Sequence, residues 1–357
     1  MLYVLKGFEE IGIIESFRSI IWNRQFYGQG DMQVILPASK EYISLCEYGN
    51  YLVREEDISI EDGVTIFKNV MVIQEIIYRE NDSEGAVLQI IGRSLKSYLL
   101  GKRVIEGATQ MTGQADALLK SVIRSNAMTS GNRMINNLVI SDSSVSGNID
   151  IQIEGESLAE LCEKVGRDAK FGWDITIRGN EYILEFIEGT RRTEDSENDP
   201  VIFSRKYDNL LSMEFQMNFL DYHNTILVQG EEKGSFNGRV WTQNRAQEYS
   251  DLEREEMYLN SGASWTTDAG ELTEEQYKNT LRGLGKRDLN LINPYSFQAD
   301  ILPDGIFRMN RDFFLGDIVE VVTEVGIVAK ARIVEMIEAI DEQGKSVVLT
   351  FEEWEVL

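Results

Sequence analysis

The chain has 357 residues, which is enough for two or three domains, each with its own core. Its 60 Asp and Glu residues against 35 Lys and Arg residues give a formal net charge of −25. A surface this acidic excludes binding to phosphate backbones or to anionic membranes as the main function. The same charge is compatible with the wall of a channel through which DNA passes without binding.

The first residues, "MLYVLKGFEEIGIIESF", carry acids where a secretory signal carries a basic region, and no run of about 18 uncharged apolar residues follows. We therefore expect a soluble protein that is made in the cytosol. Cys46 and Cys162 are the only cysteines, too few for a disulfide framework, and we expect both to be buried thiols.

The first 105 residues read mainly as strands. "DMQVILP" ends at Pro37, a turn at Gly49 opens onto a strand, and residues 73–91 form two apolar runs around an acidic turn that ends at Gly85. Glycine suits a hairpin connection because it adopts positive φ without strain. The sequence therefore predicts a hairpin over residues 73–91.

The pattern then changes to alternating helices and strands over residues 106–189. Thr112 precedes a helical pattern and is a candidate N-cap, and Ser157 and Glu160 have the spacing of a capping box. "WDITIRGNEYILEFIEG" predicts two strands around Gly179-Asn180. We expect a compact α/β lobe over this region.

Residues 190–200 lack apolar periodicity and predict an acidic linker. Beyond them, apolar and polar residues alternate over residues 210–219, which predicts a strand with one buried face. The apolar set is Leu211, Met213, Phe215, Met217 and Phe219. Residues 236–290 read as a polar excursion with one helix behind Thr273, after which a sheet resumes.

Two distant stretches of the chain have similar sequences. "IVEMIEAIDEQGKSVVLT" at residues 333–350 resembles "IQEIIYRENDSEGAVLQI" at residues 73–90, and Gly316-Asp317 stands before it as Gly49-Asn50 stands before the earlier stretch. A hairpin with preceding turn and strand thus occurs near both ends of the chain. Internal duplication and the chance recurrence of similar hairpins both explain the echo.

Motifs for chemistry are absent from the sequence. His223 is the only histidine, which rules out a metal site of two imidazoles, and Asp221 beside it does not make a catalytic triad. Residues 344–346, "GKS", lack the earlier glycine of a phosphate loop, and "EDSENDP" lacks the glycine of a calcium loop. We predict no catalytic, cofactor-binding or metal-binding residue and no cofactor.

The most interface-like stretch is "GSFNGRVWTQNRAQEY". It sets the aromatic residues Phe236, Trp241 and Tyr249 among Arg239 and Arg245, and such residues anchor protein contacts. An ordinary loop with one aromatic residue in the core explains the pattern equally well.

Four segments together resemble the siphophage tail-hub family, the tail-associated proteins at the tip of long flexible phage tails. They occur in the family's order and include "ESFRSIIWNRQFYGQGDMQVILPAS", "MVIQEIIYRENDSEGAVLQIIGRSLKSYLLGKRVI" and "NTILVQGEEKGSFNGRV". The fourth runs from "FFLGDIVEVV" to "FEEWE", where Leu315 to Val319 and Phe351 match the family's ending and Glu352 replaces its more usual glycine.

The resemblance implies an α+β, mostly β fold with two similar tube-forming β-barrel domains, as in the baseplate hub of contractile-tailed phages. The barrels would cover residues 1–105 and residues 201–235 plus 291–357, with the α/β lobe at 106–189, the acidic linker at 190–200 and the insertion at 236–290. Three chains would then form a ring of six barrels that docks on a six-fold tail tube.

The implied protein is a structural virion component at the tail tip, not an enzyme. Its implied partners are two further copies, the distal tail protein ring, the tape-measure protein, tail fibres or receptor-binding proteins, and genomic DNA in passage. Two alternatives are a receptor-binding module, for which Trp241, Trp265 and Tyr258 are the candidate residues, and a tail-borne glycosidase or peptidase. Relatives that carry enzymatic domains have them as C-terminal extensions, and we expect none here.

Overall fold

The computed structural model describes residues 1–81, 85–129, 131–267, 270–292, 294–302, 305–326 and 328–356. The first part of the chain contains β1 (Leu2–Lys6), β2 (Glu9–Ile14), β3 (Ser19–Gln25), β4 (Asp31–Pro37), α1 (Lys40–Leu45), β5 (Tyr51–Arg54), β6 (Ile58–Glu61), β7 (Val64–Phe67), β8 (Met71–Asn81), β9 (Gly85–Ser94) and α2 (Leu95–Leu100).

The middle contains β10 (Ala108–Gln114), α3 (Ala115–Ile123), β11 (Leu138–Ile140), β12 (Asn148–Glu154), α4 (Leu158–Ala169), β13 (Gly172–Arg178) and β14 (Glu181–Ile187). The rest contains β15 (Arg191–Arg192), β16 (Ile202–Ser204), β17 (Leu210–Met217), β18 (Thr225–Gln229), β19 (Arg239–Gln243), β20 (Glu256–Asn260), β21 (Thr266–Thr267), β22 (Gly270–Glu271), α5 (Glu274–Leu291), β23 (Tyr295–Ile301), β24 (Ile318–Val322), β25 (Val328–Asp341) and β26 (Gly344–Val356).

A 14-stranded sheet forms the body of the molecule, and its main path runs β17-β23-β26-β25-β3-β4-β9-β8-β5-β1-β2. The remaining strands of this sheet are β24, which pairs with β25, and the short strands β15 and β16, which pair with β24. The fold is mostly β with some helix, as the sequence predicts. The expected barrels are not closed: within the described part of the chain, the main path is open and ends at β17 and β2.

The α/β lobe has its own sheet, in the order β11-β14-β13-β7-β6. β6 and β7 come from the first part of the chain and join the lobe through the pairing of Phe67 with Ile177. α3 and α4 contribute to the same core as the lobe strands. The capping box of α4 is confirmed, since Ser157 and Glu160 each bind the other's backbone N–H.

Residues 225–291 form a separate small layer. β18 pairs with β19 and β20, and α5 packs on this sheet with Tyr277 and Leu281 fully buried. α5 begins with a capping box between Thr273 and Gln276. The acidic segment at 190–200 contributes β15, whose residue Arg192 lies opposite Val319 of β24.

Two local expectations are wrong. Thr112 lies in β10 and does not cap a helix, because the strand continues to Gln114 and α3 begins only at Ala115. The apolar face of β17 is also only partly buried: Met213 packs against the core, but Met217 is 63% exposed on this edge strand, and Leu211 is 50% exposed at a register shift of the strand.

Candidate assembly interface

The main sheet consists of two units with the same strand topology. In the first unit the order is β3-β4-β9-β8, and β5 pairs with the beginning of β8. In the second unit the order is β17-β23-β26-β25, and β24 pairs with the beginning of β25. The strands correspond one to one and occur in the same order along the chain. The echo in the sequence therefore reflects two structurally equivalent units.

The long hairpins of the two units share one irregularity. Both predicted hairpins are confirmed, although residues 82–84 of the first turn lie outside the described residues. β8 has a register shift between Ile73 and Glu75, and β25 has one between Ile333 and Glu335. A bulge at the same place in both units bends the two strands alike.

The turn before each hairpin also makes the same backbone contacts. Gly49 N–H donates to the Ile73 carbonyl at 2.9 Å, and Gly316 N–H donates to the Ile333 carbonyl at 2.8 Å. Both glycines have positive φ, 86° and 96°, where other residues are strained. In return, the N–H of each isoleucine donates to the residue after the glycine. The two units thus match at the level of single hydrogen bonds.

The units join side by side through strand pairing. β25 of the second unit runs antiparallel to β3 of the first unit, with Met336 opposite Arg24, Glu338 opposite Trp22 and Ile340 opposite Ile20. These residues come from opposite ends of the chain. The junction makes the two units one continuous sheet.

A buried ion cluster lies at this junction. The Glu338 carboxylate, with no exposed surface, is 3.0 Å from Arg24 Nη2 and 2.7 Å from Arg54 Nη1. Arg54 Nε also donates to Asp57 at 2.6 Å, and Lys345 Nζ lies 2.9 Å from the second Glu338 oxygen. A carboxylate of the second unit is therefore neutralised by cations of both units.

The cluster holds Glu338 in its ionised form. Burial by itself raises the pKa of a carboxyl group, but the charges of Arg24, Arg54 and Lys345 outweigh it and lower the pKa of Glu338 to about 2. Burial likewise opposes the charge of Arg54, yet Asp57 and Glu338 raise its pKa above the ordinary value. A buried charge without these partners is strongly unfavourable, so the cluster requires the two units to stay together.

The sequence reading missed this cluster. One feature of the sequence does indicate a buried charge. Glu338 lies two residues after Met336 in a strand, so both side chains point to the same, core-facing side. Its partners Arg24, Arg54 and Asp57 are remote in sequence, and no local pattern connects them to Glu338.

The α/β lobe is fixed to the junction by backbone-directed contacts. The Lys96 ammonium donates to the Gln25 carbonyl at 2.7 Å and to the Trp173 carbonyl at 2.9 Å, and Trp173 Nε1 donates to the Tyr27 carbonyl at 2.8 Å. Burial lowers the pKa of Lys96 and raises the pKa of Asp174, which faces it.

The last strand is attached to the lobe as well. Arg167 of α4 donates through one nitrogen to both carboxylate oxygens of Glu352, at 3.1 and 3.0 Å. Glu352 is the residue that stands in place of the family's more usual glycine, and here it lies within β26. The lobe therefore contacts both units.

The aromatic residues of the 225–291 layer separate into two groups. Phe236 and Trp265 are buried against Tyr277, with Trp265 stacked on Tyr277 at a centroid distance of 4.1 Å. Trp241 and Tyr258 are exposed and share a face of the small sheet, on either side of Leu227. Phe236 of the interface-like stretch thus belongs to the core. Among the large apolar residues of this stretch, Trp241 alone is exposed.

Tyr249 and the remaining polar candidates lie in local contacts. The Arg245 guanidinium lies 3.5 Å from the centroid of the Tyr249 ring, while Arg239 binds Gln229 within the sheet. His223 is half-buried and Asp221 is exposed. Among the described residues no group of three or more His, Cys, Asp or Glu could hold a metal ion, and no helix has the length and apolarity to cross a membrane.

Solved structures with a similar fold include bacterial and prophage tail proteins. A tail protein from Neisseria meningitidis MC58 matches with a TM-score of 0.57 and 13% identity, over 99% of this chain and 96% of that chain. The 43 kDa tail protein of prophage MuSo2 from Shewanella oneidensis matches with a TM-score of 0.58 and 11% identity, over 99% and 98%. The prophage tail protein gp18 from Listeria monocytogenes EGD-e matches with a TM-score of 0.55 and 13% identity, over 98% and 94%.

At these identities the likeness establishes the fold, which is that of phage tail proteins. The family comes from the sequence itself: residues 6–351 match the model of the Siphovirus ReqiPepy6 Gp37-like proteins. The chain belongs to this family and is a phage tail protein of the siphovirus type. No curated protein matches it.

Proposed function

We propose that this protein is the hub of a siphophage tail tip, where three copies form a closed ring. The observation that carries the proposal is the equivalence of the two units. A chain with two equivalent units gives a three-fold ring six equivalent positions, so three chains match a six-fold partner. The ring continues or caps the tail tube and lies against the ring of distal tail proteins.

The charge of the chain supports a role in DNA passage. An excess of 25 negative charges repels the DNA backbone and disfavours binding along the path of ejection. The tape-measure protein occupies the channel before ejection, and tail fibres or receptor-binding proteins attach around the ring. The role is structural and needs no catalytic residue.

A cryo-electron microscopy reconstruction of intact tails that carry this protein tests the proposal. We expect three copies at the tail tip, with six equivalent units arranged around the channel and the distal tail ring next to them. A single copy, or a position away from the tail axis, contradicts the hub function.

A receptor-binding role is the second candidate, and one observation favours it. Trp241 and Tyr258 lie exposed on one face of the small sheet, and the Arg254 guanidinium lies 4.7 Å from the centroid of the Trp241 ring. The same reconstruction separates the two roles, since a receptor-binding module lies outside the channel wall and is dispensable for its closure.

A further inference from the structure

The internal junction between the two units is a template for a second junction that one chain cannot make alone. β25 uses its outer edge to pair with β3. The equivalent of β25 in the first unit is β8, and the equivalent of β3 in the second unit is β17. We infer that β8 of one copy pairs with β17 of the next copy, in the register of the internal junction. This inference rests on the proposed ring and identifies its contact.

Both strand edges are open within the described part of the chain. β8 pairs with β9 along its length, but on its other side it pairs with β5 only at Met71 and Val72. β17 pairs with β23 alone. Unpaired backbone donors and acceptors along two edges are a template for strand addition.

The register follows from the equivalent residues. The bulges align Ile73 with Ile333, so counting along the strands aligns Ile76 with Met336 and Tyr78 with Glu338. The partner strands β3 and β17 are aligned in the same way. β3 pairs with β4 and β17 pairs with β23, and β4 and β23 are equivalent strands of the two units. The aligned pairs are Ile21 with Glu214, Trp22 with Phe215, Asn23 with Gln216, and Arg24 with Met217.

Transferring the internal pairing to these equivalents gives a specific set of contacts between copies. The opposed residues are Ile76 and Met217, Ile77 and Gln216, Tyr78 and Phe215, and Arg79 and Glu214 of the next copy. On one face, Ile76 and Tyr78 meet the apolar residues Met217 and Phe215, and the same register puts Glu80 opposite Met213. On the other face, the cation Arg79 meets the anion Glu214, and Ile77 meets Gln216.

Exposure supports the same assignment. In the internal junction, Trp22, Met336 and Glu338 have no exposed surface and Arg24 keeps 6%. The equivalents are exposed by 40% at Ile76, 52% at Tyr78, 37% at Phe215 and 63% at Met217. Phe215 stacks on Tyr295 at a centroid distance of 6.2 Å, which holds the ring in place at the edge. Apolar side chains at core-facing positions of two open edges are a surface that a second copy covers.

The chemistry of the two junctions differs, and this difference fixes which strands pair. Glu338 requires the cation Arg24, whereas β17 offers Met217 at the equivalent position. If β25 paired with β17, a buried carboxylate would lose one of its cations. Units of the first and second kind therefore alternate around the ring.

Cysteine pairs test the register in intact tails. Arg79→Cys with Glu214→Cys, and Ile77→Cys with Gln216→Cys, put thiols directly opposite each other, where antiparallel strands bring Cα atoms to about 5 Å. The matched controls recombine the same substitutions. Arg79→Cys with Gln216→Cys, and Ile77→Cys with Glu214→Cys, are diagonal pairs at roughly 8 Å, beyond disulfide reach.

After oxidation, we expect both direct pairs to give covalent dimers and trimers that disappear on reduction, and the diagonal pairs to remain mostly monomeric. A disulfide within one chain does not compete, because β8 and β17 are seven strand steps apart in the sheet order, about 34 Å along the sheet. The native Cys46 and Cys162 are buried and do not contribute.

Charge exchange gives a second measurement that does not depend on oxidation. Arg79→Glu alone puts two anions opposite each other and weakens the association of copies by about tenfold. Adding Glu214→Arg restores the opposite charges and the affinity. Both side chains are exposed in the isolated chain, so the substitutions leave its folding intact.

The outcomes separate the contact from the function. If tails show a ring of three copies but neither direct cysteine pair links them, and charge exchange does not restore association, the inferred register is wrong and the hub function stands. If the tails contain no such ring, the hub function fails and the contact fails with it.

Discussion

Replacing Glu338 by glutamine should destabilise the protein by about 3 kcal/mol. The substitution keeps the size of the side chain but leaves Arg24 and Arg54 buried without their shared anion. A pKa of about 2 in place of an ordinary 4.5 corresponds to about 3 kcal/mol of preference for the ionised form. Removing one partner of a buried ion pair generally costs about 3–5 kcal/mol, in agreement with this value.

Urea unfolding at neutral pH measures the effect. Glu342→Gln is the matched control, because Glu342 is an exposed carboxylate in the turn of the same hairpin, and we expect a change within about 0.5 kcal/mol. If the Glu338 variant unfolds with the same free energy as its parent, the cluster does not hold the two units together and the reasoning is refuted.

The pH dependence provides an independent measure of the same carboxylate. Because the pKa of Glu338 is lower in the folded than in the unfolded state, its contribution is complete above about pH 4.5 and disappears as the pH falls towards about 2. The parent protein should therefore lose stability over this range more steeply than the Glu338→Gln variant. Parallel curves would falsify the assignment.

Two further predictions concern the turn at the second hairpin and the cysteines. Gly316→Ala should destabilise by more than about 2 kcal/mol in thermal unfolding, since φ is positive and a Cβ would overlap the Phe26 ring; Gly326→Ala, with positive φ but open space, should lose about 1 kcal/mol. Burial raises the pKa of Cys46 to about 12 and also raises that of Cys162, so in the native protein both should react with a thiol reagent about a thousandfold more slowly than in denaturant. Rapid labelling of the native protein, or equal losses for the two glycine variants, would contradict these expectations.

The two strand edges that we propose to meet differ in chemistry from the internal junction. The internal junction buries the paired charges of Glu338, Arg24 and Arg54, whereas the exposed edges of β8 and β17 carry apolar residues, with Arg79 on β8 and Glu214 on β17. In the ring that we propose, this difference disfavours the pairing of β25 with β17, because Glu338 would then lose Arg24.

Much of the local structure follows from the sequence because its causes are local. The hairpins at 73–91 and 333–351 are marked by glycine turns and β-branched runs, and the capping box at Ser157 is fixed by two side chains three residues apart. The similarity between the two hairpins is visible in the sequence for the same reason, since equivalent turns require equivalent residues.

The tertiary structure alone decided which edges are joined. Nothing in the local pattern connects Glu338 with Arg24 and Arg54, because strands from opposite ends of the chain bring them together. The alternation over residues 211–219 showed an apolar face but not whether the chain itself covers it. Periodicity reports which side chains share a face, whereas burial depends on what packs against that face, and for Met217 and Phe215 the chain provides no complete cover. Strand pairing at long range therefore determines both the core of this protein and the apolar side chains that it leaves exposed at the sheet edge.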